Sequence, residues 1–474
     1  MKTRKKNIPT VETKRSESRK YASECSNKVG GGRKLNKDCA EAGSRRVALI
    51  SLGCPKNLVD SEEMLGALVS DGFIITSDTA EADVIVVNTC GFIESAKQES
   101  IDAVLEAAEW KKQAGKKLVA VGCLVQRYER ELAAEMPEID AFIGVGRNAE
   151  LPGIVRRVLN GERVLDGRCP GAEWSNLGRV RSTPAWTAYL RIADGCDNRC
   201  SYCVIPGIRG GFRSRPPDDI LAEAEQMAAD GVLEINLVGQ DTTKYGEDIP
   251  GWNLERLLGE LVNIDGVRWI RLLYCYPTRI TEGLISLVSS ETKVCKYLDI
   301  PFQHGDDRVL KSMNRCGSRA EYLDLVRLIR EMCPDVALRS TFIVGFPGET
   351  DEEFDNLCSF VAEVGFDRLG AFIYSPEEGT KAVGMPHKVP KRTAKRRLDS
   401  LMTLARKISA ERNGLLVGKE IEVLTESPKE GRSWRDAPEI DGVVRLLREA
   451  KPGTIIRAKV IGSDDYDLWA EPVD

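Results

Sequence analysis

Histidine is nearly absent from this chain, with two residues in 474, His304 and His387. A site built mainly on imidazole, whether a zinc centre or a histidine acid–base pair, has almost nothing to draw on. No run of eighteen apolar residues occurs, so no segment is expected to span a membrane. The basic start MKTRKK is not followed by an apolar stretch, and it does not read as a secretory signal. The expected location is therefore the reducing cytoplasm.

Against these absences stand fourteen cysteines. In a reducing compartment, thiols in that number point to metal or redox chemistry rather than to a disulfide framework. At 474 residues, 42% of them hydrophobic, the chain has room for more than one core, and two to four domains are expected. The net charge of -5 conceals local asymmetry. Residues 1–46 hold fourteen Lys or Arg against five Asp or Glu, with almost no large apolar side chains. Such a composition cannot bury enough surface to order itself, so residues 1–45 are expected to be a basic disordered extension. Cys25 and Cys39 lie there and carry no assigned role.

From Arg46 the pattern becomes strand, turn, helix, repeated. The runs RVALISLGC, ADVIVVNTC and KKLVAVGC end at Cys54, Cys90 and Cys123. Each run is short and β-branched, as in a strand buried on both faces, and a helical segment follows each. The alternation predicts a doubly wound parallel sheet over 46–160. Ligands bind such sheets outside the carboxyl ends of the strands, the edge where all three cysteines fall. Residues 161–184 read as a Pro- and Gly-containing linker, part of a wider connection over 151–185. Six further βα units over 185–390 predict a partial (βα)6 barrel with its site at the strands' C-terminal face. Residues 391–412 form a basic linker helix, and 413–474 a small antiparallel β-barrel. The fold class is thus α/β and multidomain.

The first barrel strand runs into GCDNRCSYC, which places Cys196, Cys200 and Cys203 in a CxxxCxxC loop. Soft thiolates select iron–sulfur clusters or zinc. Zinc favours four closed ligands, and the loop offers no fourth Cys or His, although a distant residue could complete a zinc knuckle. Three thiolates on a four-iron cluster leave one iron open. The three strand-end cysteines of the first domain make a second three-thiolate set. Cys169, Cys275, Cys295, Cys316, Cys333 and Cys358 share no spacing. Of these, Cys275, Cys295 and Cys358 read as small core residues. His304, in FQHGDD, reads as a turn anchor.

The CxxxCxxC loop, with Tyr202 before the third cysteine, resembles the radical SAM superfamily. There the open iron binds S-adenosylmethionine, and reductive cleavage yields a radical that abstracts hydrogen from carbon. The whole arrangement from about residue 46 onward resembles the methylthiotransferase family, which joins a three-Cys domain, a radical SAM barrel and a TRAM barrel. The resemblance implies two [4Fe-4S] clusters, on Cys196, Cys200 and Cys203 and on Cys54, Cys90 and Cys123. It implies that the second cluster delivers sulfur and that S-adenosylmethionine serves as both methyl donor and radical source. Gly239, Gln240, Gln303, Arg339 and Thr341 are candidate S-adenosylmethionine contacts at strand ends. Gly345, Pro347 and Gly348 are expected to let backbone approach that ligand.

Two branches of the family compete, one acting on an aspartate β-carbon of small-subunit ribosomal protein twelve, the other on transfer-RNA adenosine. SLGCPKNLVDSE, RGGFRSRP, LDIPFQHGDDRVLKSMNR and GRSWRDAPEIDGVV resemble the ribosomal-protein branch. Transfer-RNA enzymes more typically carry Cys-Gln-Met-Asn where this chain has Cys-Pro-Lys-Asn. Residues 413–474 hold nine Lys or Arg against thirteen Asp or Glu, a balance of 9 − 13 = −4, which suits a basic protein partner better than RNA. Arg191, Arg209, Arg213 and Arg215 are candidates to hold the substrate carboxylate. The resemblance also implies an electron donor such as flavodoxin or ferredoxin.

Overall fold

A computed structural model describes residues 45–167, 174 and 178–473. The extension 1–44 with Cys25 and Cys39, and Cys169, lie outside these. The chain divides into two compact units, 1–183 and 184–474. No helix among the described residues is long and apolar enough to cross a membrane.

In the first unit six parallel strands lie in the order β2-β1-β3-β4-β5-β6. They are β1 (Arg46–Ser51), β2 (Ile74–Ile75), β3 (Val84–Thr89), β4 (Lys117–Gly122), β5 (Ala141–Ile143) and β6 (Val164–Asp166). Side chains alternate between faces, so each strand feeds two cores. Val84, Val86, Val119 and Val121 pack with Met64 and Leu68 of the helix Pro55–Ser70 and with Ile154 of Leu151–Leu159. Ile85, Val87 and Ala120 pack on the other face with Val104 and Ala107 of Glu94–Ala114. The helices following β1 and β3 thus lie on opposite faces, and the strand order reverses between those two strands. That crevice is where such sheets bind ligands.

The stretch read as a connection is not structureless. Leu151–Leu159 is a helix with Leu151, Ile154, Val155 and Val158 buried, and β6 extends the sheet by pairing with β5. The expected linker therefore begins later than residue 161, because a three-residue strand gains its stability from its neighbour rather than from its own pattern.

In the second unit β7 (Thr187–Arg191), β10 (Glu234–Val238), β11 (Trp269–Leu272), β12 (Val294–Asp299), β13 (Ala337–Val344) and β14 (Arg368–Ile373) form one parallel sheet, with β7 and β14 at its ends. It is a partial barrel of six βα units, as expected. The outward face carries Leu190, Ile235, Leu237, Ile270, Leu298, Leu338 and Phe342, which meet the helices in the main core. Alternation leaves Arg191, Glu234, Asn236, Arg271, Tyr297, Asp299, Arg339 and Thr341 on the inward face. A short ladder between β8 (Ala193–Asp194) and β9 (Arg213–Ser214) pins the base of the cysteine loop.

The helix Lys391–Gly414 buries Ala394, Arg397, Leu401, Ala405 and Ile408. It leads into a closed barrel of order β15-β16-β17-β19-β18. These strands are β15 (Glu420–Ser427), β16 (Glu430–Ser433), β17 (Val444–Leu446), β18 (Ile455–Ser463) and β19 (Leu468–Pro472). The barrel is not wholly antiparallel, since β17 pairs with β19 in parallel.

Residues 432–441 of this small barrel reach the inward face of the larger one. The Glu234 carboxylate accepts from Arg271 Nε at 3.0 Å and from Arg432 Nη2 at 2.5 Å. Arg368 donates to Asp436 at 2.5 Å, and Tyr297 Oη to Asp441 at 2.8 Å. Glu234 and Arg368 are the first residues of their strands, so these contacts close the N-terminal end of the barrel. The cysteine loop lies at the opposite end.

Candidate iron–sulfur and S-adenosylmethionine sites

The first thiol set is assembled by three strand ends. Cys54 caps the start of Pro55–Ser70, Cys90 directly follows β3, and Cys123 opens the helix Cys123–Glu135. Gly53 has φ +91°, and a Cβ there would lie 2.8 Å from Cys90 Cβ. A side chain at that position would push the first thiol loop off the second. Asn57 ties the three loops together. Its Nδ2 donates to Leu52 O at 2.9 Å and to Thr89 O at 3.0 Å, while its Oδ1 accepts from Cys123 Sγ at 3.6 Å. Ser100 Oγ fixes Cys90 from the other side, accepting from its N–H and donating to its carbonyl. Asn57 lies within the quoted CPKN stretch, yet its bridging role depends on residues far along the chain.

The second set sits in the loop between β8 and β9. Asn198 Nδ2 donates to Asp241 at 2.7 Å, and Arg279 holds both Asn198 Oδ1 and Asp241 Oδ2, at 3.0 and 2.9 Å. The Asn198 N–H points at Cys196 Sγ, 3.5 Å away. Ser201 is stitched to Met313 O through its N–H and to Ser312 O through its hydroxyl. The loop is thus clamped from the ends of β10 and β11 and from the segment after β12. Arg199, between the first two cysteines, takes φ +40°, a conformation L-residues seldom adopt.

The three thiols act on one another. Burial pushes Cys203 up to about 12, with Cys200 and Cys196 adding to the shift. Burial also raises Cys196, and Asp241 and Cys200 reinforce it. A bound metal ion reverses this balance, because a coordinating thiol is deprotonated outright. Among the described residues no three His, Cys, Asp or Glu side chains gather closely enough for one ion. Three soft thiol donors in each set are the ligand chemistry that an iron–sulfur cluster would take.

The candidate S-adenosylmethionine contacts fall into two places. Gln240, past the end of β10, donates from Nε2 to Asp194 Oδ1 at 3.0 Å. Its Oε1 is buried and has no hydrogen-bond partner among the described residues, which leaves an acceptor for an amino group. A Cβ on neighbouring Gly239 would meet nothing nearer than Ala193 O at 3.4 Å, so the position tolerates more than glycine. Gln303 adopts φ +73°, and its backbone is joined to β13 through Thr341 O and Ile343 N. Strain at a non-glycine residue beside a strand end is a recurrent mark of a ligand site. Arg339 and Thr341 share the inward face, but the Arg339 guanidinium serves Asp299 at 2.8 Å and Asp441 at 3.4 Å.

Gly345 does not admit a ligand as expected. With φ +73°, it admits the helix Lys391–Gly414, for a Cβ there would lie 2.6 Å from Ala394 Cβ. Of the four arginines considered for substrate, Arg209 is buried against Asp194 at 3.2 Å, and Arg215 is bound to Glu223 and to Arg191 O. Arg191 faces inward and is buried. Arg213, 3.7 Å from Asp194, is the most solvent-facing, with 26% of its side chain exposed. His304 is fully buried and accepts the Asp306 N–H at Nδ1, the turn anchor its context suggested. Cys275 and Cys295 are core residues, while Cys358 is half-buried.

Residues 46–144 match an uncharacterized protein family, UPF0004, residues 190–361 the radical SAM superfamily, and residues 417–473 the TRAM domain. A ribosomal protein uS12 methylthiotransferase RimO of Geobacter sulfurreducens is 49% identical over 447 residues, covering 90% of this chain and 98% of that protein. The RimO of Pelotomaculum thermopropionicum is 50% identical over 440 residues, covering 90% and 99%. The chain belongs to the RimO methylthiotransferase family. As a radical SAM methylthiotransferase, the chain is a transferase that uses S-adenosylmethionine and two [4Fe-4S] clusters. The solved structure of the radical S-adenosylmethionine methyltransferase TsrM from Kitasatospora setae shares the fold. Its TM-score is 0.55 at 17% identity, covering 72% of this chain and 77% of that one.

Proposed function

We propose that this RimO-family chain adds a methylthio group to the β-carbon of an aspartate in ribosomal protein uS12. The observation that carries the reading is near-half identity to uS12 methylthiotransferases over nine-tenths of the chain. Both thiol sets lie within that span, each at the C-terminal ends of parallel strands. When bound, the clusters and S-adenosylmethionine supply hydrogen abstraction, sulfur and the methyl group. The chain's own residues hold and orient these reactants. Cys196, Cys200 and Cys203 would carry the radical cluster, and Cys54, Cys90 and Cys123 the auxiliary one. Gln240 Oε1 offers an acceptor to the methionyl amino group, and Thr341 and the Gln303 backbone line the facing wall. Arg213, the most exposed of the four arginines, is the candidate to meet the substrate carboxylate. The acidic small barrel suits a basic protein substrate. A low-potential donor such as flavodoxin or ferredoxin supplies electrons, and the work is done in the cytoplasm where ribosomes are.

The test is the intact mass of uS12 from cells with and without the gene. Deletion should lower that mass by one methylthio group and map the loss to an aspartate. An unchanged uS12, with transfer-RNA adenosines losing the same group, would establish transfer RNA as the substrate instead.

A further inference from the structure

Most buried arginines of the second unit face a carboxylate. Arg271 and Arg432 share Glu234, Arg368 faces Asp436, and Arg397 faces Glu349. Arg315, half-buried as a residue but with its Nε enclosed, is the contrast. It follows the helix Asp307–Ser312 and a left-handed Asn314, φ +55°, and among the described residues it forms no ion pair. Its Nη1 lies 3.9 Å from Cys200 Sγ, and its Nη2 donates to Pro301 O. The guanidinium stacks on Tyr276, 4.2 Å from the ring centre, and its Nε is buried without a partner. Its electrostatic neighbours are Tyr202, Cys200, Tyr276 and Tyr322, none of them a carboxylate. The placement is rigid, since Asn314 Nδ2 donates to Arg199 O at 2.9 Å and Met313 O receives the Ser201 N–H. The turn that carries Arg315 is thus sewn to the cysteine loop.

A guanidinium partly withdrawn from water, with one nitrogen enclosed and no counter-ion, carries a desolvation cost. A four-iron cluster held by three thiolates is a net anion, and the Cys200 sulfur lies 3.9 Å from this guanidinium. We propose that Arg315 is the counter-charge and sulfur hydrogen-bond donor of the cluster on Cys196, Cys200 and Cys203, and that it raises the cluster's reduction potential. The proposal rests on the assignment of that cluster to those cysteines. Its physical basis is general, because net charge and hydrogen bonds to the sulfurs set the potential of such clusters. Reduction adds a further negative charge, and a fixed cation stabilises the reduced form more than the oxidised. Arginine also suits the position as a permanently charged, planar group able to stack on Tyr276 while donating from its edge.

The experiment is a midpoint potential, read by the electron paramagnetic resonance signal of the reduced cluster during a redox titration. The full chain carries Cys54→Ala, Cys90→Ala and Cys123→Ala, so that one cluster gives the signal. At the potential that half-reduces this parent, Arg315→Gln should lower the reduced-to-oxidised ratio about tenfold, which is ~59 mV for one electron. Arg315→Lys keeps the charge but loses the planar fork, and should shift the same way by less. A loaded Arg315→Gln chain with the parent's potential overturns the proposal. If Gln does not retain the cluster, Arg315→Lys decides, and a potential equal to the parent's overturns it. A parent that takes up no iron overturns the cluster assignment itself and the proposal with it.

Discussion

Asn57 and Asp241 do the same work for the two thiol sets, each holding a cysteine-bearing loop through side-chain hydrogen bonds. Asn57 is 1% exposed and spends its amide on two carbonyls, Leu52 O and Thr89 O, that precede Cys54 and Cys90. Its backbone carbonyl in turn accepts from Asn88 Nδ2 at 2.9 Å. Removing the amide takes the donor from the buried Thr89 O and the part-buried Leu52 O, at about 1–3 kcal/mol for a buried group left unpaired. Asn57→Ala should therefore bring the iron and sulfide content of the reconstituted chain down toward half, with the Cys196 set still loaded. Asn57→Asp should be worse, because it turns a donor into an acceptor facing carbonyl oxygens. A full complement of iron in Asn57→Ala would sink this account. The cysteine changes calibrate the assay. Cys90→Ala should lose the auxiliary cluster and leave reductive cleavage of S-adenosylmethionine intact, whereas Cys200→Ala should abolish cleavage.

Elements, unlike single contacts, were largely legible in the sequence. Both parallel sheets follow from β-branched runs alternating with helical segments, and Cys54, Cys90 and Cys123 each end such a run. Strands of two or three residues, β2, β5 and β6, were not legible, because a period of two cannot be read in so short a span. Arg339 was read as a ligand contact from its place near a strand end. The sequence could not show that Asp441, from a different barrel, lies 3.4 Å from its guanidinium. Gly345 was misread for the same reason, since the neighbour it admits is Ala394 of a later helix. That neighbour makes a prediction. Gly345→Ala puts a side chain at φ +73°, costing about 1–2 kcal/mol for the left-handed backbone alone, and adds the clash with Ala394. The unfolding midpoint in urea should fall clearly. Adding Ala394→Gly should recover the steric part only, so complete recovery or none would refute the argument.

At the scale of the second unit, one carboxylate joins two barrels. Glu234 and Arg432 are 198 positions apart in the chain, and both are buried with Arg271 in one cluster. Burial by itself would raise the Glu234 pKa, but Arg432 and then Arg271 outweigh it and hold the group at about 2. A depressed folded pKa makes the contribution to stability fully present above the unfolded value of about 4.3. It is lost as pH falls from there through about 2. Glu234→Gln leaves the buried Arg271 without its carboxylate and Arg432 with Glu426 alone, and should cost about 3–5 kcal/mol at neutral pH. Replacing Glu234, Arg271 and Arg432 together with apolar residues of similar volume should come near to neutral, because the desolvation of all three charges is then avoided. The measurement is the urea midpoint of native and Glu234→Gln chains from pH 7 down to 2.5. The native curve should fall more steeply below pH 4.5 than that of the variant, the two converging as Glu234 takes up its proton. Parallel curves would mean that the charge of Glu234 does not hold the small barrel in the base of the larger one, and that the junction rests on packing alone.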